Sequence, residues 1–187
     1  MTPPLTQTIS FSPEWQRTPP KVTHQTEYMM CCGLNRYLSN EGLKVDRISN
    51  NPYSPYDLKV FEFDYDTLED GGIICRIDVE RKNVRFPRNG YPETWKRGVS
   101  FAYRKLVKSV NDERDVYLLV DNNRADPRII WVTYGIIKEF GVYENFRGHK
   151  NEFKVIKENN ADKLNYTFKT LAAWCTRLKN QDITRAV

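Results

Sequence analysis

The 187-residue chain holds only two histidines, His24 and His149, and four cysteines, Cys31, Cys32, Cys75 and Cys175. Two histidines without HExxH spacing exclude the common zinc-hydrolase arrangement, and there is no GxSxG elbow to present a serine nucleophile. The absence of any CxxC pair argues against a zinc finger or ribbon. Cys31 and Cys32 are adjacent and poorly placed to bond one another. The four thiols therefore read as small buried groups in a reducing compartment. Nine glycines occur, yet neither GxxxxGK nor GxGxxG does, so no nucleotide cofactor is expected. No apolar run reaches the ~18 residues of a membrane span. Met1-Thr2-Pro3-Pro4 lacks the basic-then-apolar opening of a secretory signal. The expectation is a soluble protein with no membrane partner, located in the cytoplasm, or in a host's cytoplasm if the source is viral.

Hydrophobic residues at 40% and aromatics at 13% indicate a packed core rather than disorder. The length suits one domain. Residues 1–22 carry Pro3, Pro4, Pro13, Pro19 and Pro20 among Thr, Ser and Gln, and read as an extended arm. Residues 23–187 then form the single domain. The net charge of +5 is unevenly spread: residues 81–108 contain nine cationic side chains and one anionic, while the remainder has a slight acidic excess. A basic block interleaved with Phe86, Tyr91, Trp95, Phe101 and Tyr103 suits a phosphate backbone as well as a solvated face.

Periodicity supplies the elements. Thr26 to Asn40 reads as a helix capped by Thr26, with Glu27 in its first turn, an apolar face of Met30, Leu34, Tyr37 and Leu38, and a stop at Gly42. Leu43–Arg47 and Leu58–Phe63 read as strands. Ile73–Lys82 alternates, with Ile73, Cys75, Ile77 and Val79 on one face and Ile74, Arg76, Asp78, Glu80 and Lys82 on the other. A loop-rich crossing follows over 83–98. Val99–Val110 fits a basic helix, or a strand Val99–Tyr103 followed by a turn. Val116–Val120 and Ile129–Tyr134 are strands around a turn at Asp121, and 163–179 reads as a C-terminal helix with a Leu164–Leu178 stripe. The fold class is α/β (α+β), built on a mixed sheet.

Strand period places Glu80 and Lys82 on one face, and a hairpin between the second and third strands brings Asp57 beside them. Two carboxylates and an ammonium at one sheet edge match the needs of metal-dependent phosphodiester hydrolysis: hard oxygen ligands, and a cation to orient water. They match ordinary cross-strand charge pairing too. A rival register uses Asp46 with Asp57 and Lys59, and Glu152/Lys154 repeats the short motif without an upstream acid. Asp78 is either a further ligand or a solvated partner of Arg76.

With Pro55-Tyr56-Asp57 and Glu80-Arg81-Lys82 in this order behind a helix bearing Glu27, residues 26–82 resemble the PD-(D/E)XK nuclease superfamily, with one extra residue, Tyr56, between Pro55 and Asp57. The resemblance implies a restriction-endonuclease-like central mixed sheet flanked by helices. It implies a Mg²⁺-dependent DNA endonuclease, with Mn²⁺ able to substitute, that leaves 5′-phosphate ends. Asp57, Glu80 and the backbone carbonyl of Arg81 would bind the metal, Lys82 would position the attacking water, and Glu27 would assist. Arg85, Arg88, Lys96, Arg97, Arg104 and Lys105 would grip DNA. Two sites for a double-strand break imply a homodimer. The competing functions are a non-catalytic nucleic-acid-binding protein on the same fold and a structural, oligomeric interaction protein.

Overall fold

The computed structural model describes residues 22–48, 56–88, 90–102, 112–123, 125–145 and 152–185. The proline-rich arm, up to residue 21, lies outside them.

Helix α1 spans Val22–Leu38. No breaker separates Thr26 from Pro20, so the helix runs back beyond Thr26 instead of starting there. Thr26 is buried within it, and Glu27 falls in the second turn. Met30, Leu34 and Leu38 are sealed in the core as their spacing requires, whereas Tyr37 is exposed. A short 3₁₀ turn, Ser39–Glu41, ends at Gly42, whose φ of 63° is the left-handed conformation glycine adopts without strain.

Strands β1 (Leu43–Arg47), β2 (Leu58–Asp64) and β3 (Glu69–Arg81) form an antiparallel meander. Along β2–β3 the register slips between Val60 and Phe61 and again before Phe63. The first slip puts an extra residue on β3. This bulge breaks the predicted alternation: Ile73 is 49% exposed, while Ile74 is buried. Below the bulge the alternation holds to Arg81. The chain then crosses over 82–115 to β5 (Val116–Val120), which pairs parallel to β3. Strand β6 (Ile129–Thr133) returns antiparallel, giving a five-stranded mixed sheet in the order β1-β2-β3-β5-β6. The run Val116–Val120 is buried at every position, as a central strand covered on both faces must be.

Those two faces carry separate cores. On one, Leu118, Ile77, Val60 and Val45 pack against α1 and against α3 (Phe168–Arg185). On the other, Tyr117, Leu119, Ile130 and Val132 pack against α2 (Tyr134–Phe140) and a second sheet. That sheet is β4 (Val99–Ala102), β8 (Glu152–Ile156) and β7 (Val142–Asn145), in the order β4-β8-β7. The central mixed sheet is thus flanked by helices, as expected. The small sheet is an addition, since nothing in the alternation of 142–156 marks it out. Val99–Ala102 resolves in favour of a strand; the rest of that ambiguous segment, including Arg104 and Lys105, lies outside the described residues.

The C-terminal helix begins at Phe168 and reaches Arg185, later at both ends than 163–179. Lys163 closes a 3₁₀ turn instead, and Leu164 packs in the second core. Leu171, Cys175 and Leu178 are buried against the first core, so this stripe packs within the monomer. Cys75 and Cys175 meet there with Sγ atoms 3.9 Å apart, unbonded. Burial pushes the Cys31 thiol up to about 12, consistent with an inert core group. No helix among the described residues is long and apolar enough to cross a membrane.

Candidate active site

Asp57 lies one residue before β2, where the hairpin with β3 locks it. Its N–H donates to the Ile77 carbonyl (3.0 Å), and its Oδ2 accepts from the Val79 N–H (2.8 Å). The carboxylate is therefore fixed against β3 from both ends. On β3 itself, Asp78, Glu80 and then Lys82 alternate away from the Ile77–Val79 core face. Lys82 Nζ contacts Glu80 Oε1 at 2.6 Å, with side chains 18% and 26% exposed respectively. The Lys82 N–H is anchored to the Val120 carbonyl at 2.7 Å. Glu80 and Lys82 are thus in contact, and Asp57 is held on the neighbouring strand end by main-chain groups of β3.

Two tyrosines complete it. Tyr117 on β5 donates its phenol to Glu80 Oε2, and Tyr134 at the start of α2 donates to Asp78 Oδ2 at 3.5 Å. Burial, then the Glu80 charge, holds the Tyr117 phenol far above its ordinary value. Burial and Asp78 do the same for Tyr134. Both phenols stay protonated and serve as permanent donors. Sequence reading missed them because the parallel β3–β5 pairing joins segments separated by a long crossing. The available signal was a polar-tipped Tyr inside the wholly apolar run 116–120.

Asp78 is only 1% exposed, which rules out the solvated reading, and Arg76 is committed elsewhere. The Arg76 N–H reaches Asp115 Oδ1 at 2.8 Å and its guanidinium lies 3.8 Å from Oδ2. Burial raises the Asp115 carboxyl above its usual range, against the pull of Tyr56 and Arg76. A raised carboxyl binds its proton more tightly folded than unfolded. Its contribution to stability is full below the unfolded value of about 4 and is lost as pH rises through the folded value. Thermal melts of Asp115→Asn should therefore gain on wild type as pH rises from about 4 towards neutrality; a constant difference would contradict the linkage.

Glu27 is placed otherwise than expected. Its Oε2 pairs with Arg47 Nε at 2.7 Å, from a helix on the opposite face of the sheet to Glu80. The ion pair ties α1 to β1 and replaces both the first-turn and the assisting role. The rival register is likewise occupied: Lys59 leans on Asp70 (3.9 Å) and over the Phe61 ring, while the Asp46 carboxylate takes the Arg47 N–H.

The basic crossing starts at Lys82 and is pinned by aromatics. Phe86 is buried with Trp95 edge-on at 5.5 Å, so Trp95 seals the second core, with Tyr91 partly buried beside it. Asp121 is buried and accepts the N–H groups of Phe86, Asn123 and Arg128, which makes it the turn residue expected. Arg85, Arg88, Lys96 and Arg97 remain exposed, Arg97 within 3.8 Å of Glu144.

As a metal site, the fit rests on Asp57 and Glu80 with a neighbouring main-chain carbonyl. Their hard oxygens suit Mg²⁺ or Mn²⁺. Among the described residues no three His, Cys, Asp or Glu side chains gather as a cage. Comparison of the chain with protein-family models, curated proteins and solved structures finds no match.

Proposed function

We propose that this protein is a metal-dependent endodeoxyribonuclease of the PD-(D/E)XK kind, with Asp57, Glu80 and Lys82 as its catalytic residues. The observation that supports the reading is that the Asp57 carboxylate is held by the Val79 N–H, the residue next to Glu80, while Glu80 contacts Lys82 just past the end of β3. The α1–β1–β2–β3 order, with the two half-motifs on adjacent antiparallel strands, supports the resemblance to the restriction-endonuclease-like fold.

Asp57, Glu80 and the Arg81 carbonyl would hold Mg²⁺ or Mn²⁺. The cation would supply polarisation of the scissile phosphate and a water of lowered pKa. Tyr117 holds Glu80 through Oε2, so Oε1 would be the oxygen given to the cation once Lys82 moves off it. Lys82, released from Glu80, orients the attacking water and offsets charge developing on the phosphate. In-line attack leaves a 5′-phosphate. Arg85, Arg88, Lys96 and Arg97 leave the site on the same segment as Lys82 and hold the phosphate backbone, which positions DNA without reading sequence. A double-strand break calls for two such sites and hence a homodimer, formed on a surface other than the buried stripe of α3.

The test is incubation of supercoiled plasmid and of a branched DNA with Mg²⁺ or Mn²⁺, using wild type, Lys82→Ala and Lys59→Ala. Cleavage by wild type and Lys59→Ala but not by Lys82→Ala is expected. Loss with Lys59→Ala alone would move the site to Asp46 and Asp57. DNA shifted on a gel but never cut would make the protein a binding module instead.

A further inference from the structure

A second concave feature lies away from the carboxylates. Between edge strand β6 and helix α3 runs a groove of about 420 Å³. Its floor is a tryptophan pair: Trp131 and Trp174, with ring centroids 6.0 Å apart. Trp131 is almost fully buried, and its indole N–H is tied to Thr170 Oγ1 at 3.1 Å and the Thr167 carbonyl at 3.3 Å. It thereby props Trp174, which is only partly buried. Arg177 follows Trp174 by three residues, so helical geometry sets both on the same face of α3. Lys163 stands on the opposite wall. None of the described lining residues is acidic. Lys163 does pair with Asp162 at 2.8 Å, a partly exposed contact of the kind that exchanges readily for another anion.

The backbone argues about the occupant. An open edge strand would invite a peptide to add as a further strand. Here that route is closed at Trp131, whose N–H and carbonyl bond Asn165 at 2.8 and 3.0 Å. What remains is a supported aromatic surface flanked by two cations, in a groove with room for about one nucleotide and none for a double helix. Stacking plus phosphate neutralisation is how proteins hold single strands without reading sequence.

We propose that this groove binds single-stranded nucleic acid, a base stacking on Trp174 and its phosphates meeting Arg177 and Lys163. The choice of nucleic acid over another polyanion rests on the nuclease reading. Trp131 packs with α3 on the face of the sheet opposite Glu80, and β6 is the edge strand, so a strand leaving the carboxylates would reach the groove around that edge.

The test is anisotropy of a fluorescein-labelled oligothymidine of about 15 nucleotides, in EDTA, with the corresponding duplex as a second probe. Wild type, Arg177→Glu, Trp174→Leu and Lys59→Ala are compared. Arg177→Glu, an exposed change that spares the core, is expected to weaken oligothymidine binding tenfold or more, and Trp174→Leu to do the same with loss of tryptophan quenching. Lys59→Ala, outside both the groove and the catalytic residues, should bind as wild type. Oligothymidine that binds Arg177→Glu as tightly as wild type, or binds neither, overturns the proposal. Equal losses for duplex and single strand overturn the single-strand assignment. If wild type cuts no DNA while the oligothymidine pattern holds, the nuclease reading fails and the groove stands.

Discussion

Glu80→Gln is expected to lower plasmid cleavage by about three orders of magnitude while leaving the fold intact. The substitution keeps the side chain's shape and an oxygen for the Tyr117 phenol, but removes the charge that pairs with Lys82 and would hold the metal. A lost ligand charge of this kind costs about 4 kcal/mol of transition-state stabilisation, which is roughly a thousandfold in rate. Glu80 is partly exposed, so its neutral replacement strands no fully buried partner, and circular dichroism and melting should be nearly unchanged. Tyr117→Phe is the graded companion. It removes the donor and leaves Glu80 in place, so the loss should be nearer tenfold, accompanied by weaker apparent affinity for Mn²⁺. Metal-titrated initial rates separate the two. Cleavage by Glu80→Gln at the wild-type rate would remove Glu80 from the chemistry.

The largest effect on stability is expected at Gly98. Its φ of 103° disfavours any side chain, and an added Cβ would lie 2.1 Å from the Ile156 carbonyl oxygen and 3.0 Å from Lys157 Cα. Backbone cannot yield as a side-chain tip can. Gly98 also immediately precedes Val99, which pairs with Ile156 where β4 joins β8. Gly98→Ala must therefore prise the small sheet apart or strain its first pair, and that sheet covers Phe101 and Ile156 in the second core. The cost should be about 3 kcal/mol. For a chain of this length, that is roughly 6–12 °C in Tm. Gly72→Ala is the control, since nothing stands within 4 Å of a Cβ there, and its melt should match wild type. Equal melts for both variants would show that the β4–β8 junction contributes little.

Two strands of the small sheet, β7 and β8, escaped sequence reading. Its strands are four or five residues long, and the β4–β8 pair joins residues more than fifty apart. Short strands whose partners lie that far along the chain leave no local trace. The meander is different. In Leu43–Val45, Leu58–Val60 and Ile77–Val79 apolar residues recur at every second position because those positions face the first core, so their pattern and their order were readable along the chain. Even there the bulge at Ile73 and Ile74 escaped, since a period of two says nothing about an inserted residue.

The same division runs through the candidate site. Sequence alone placed Glu80 beside Lys82, because positions two apart in extended chain share a face by covalent geometry, and with a hairpin granted it set Asp57 against the same strand. It also located the basic segment, since charge is a property of composition. Tertiary structure decided the rest. It put Tyr117 on Glu80 and Tyr134 on Asp78, buried Asp78, and gave Glu27 to Arg47 and Arg76 to Asp115. Each of these contacts joins residues 20 to 56 positions apart or across a parallel pairing. The partner of a charged side chain is chosen by which elements pack together, and that choice is made by burial of the two apolar cores rather than by the charges themselves.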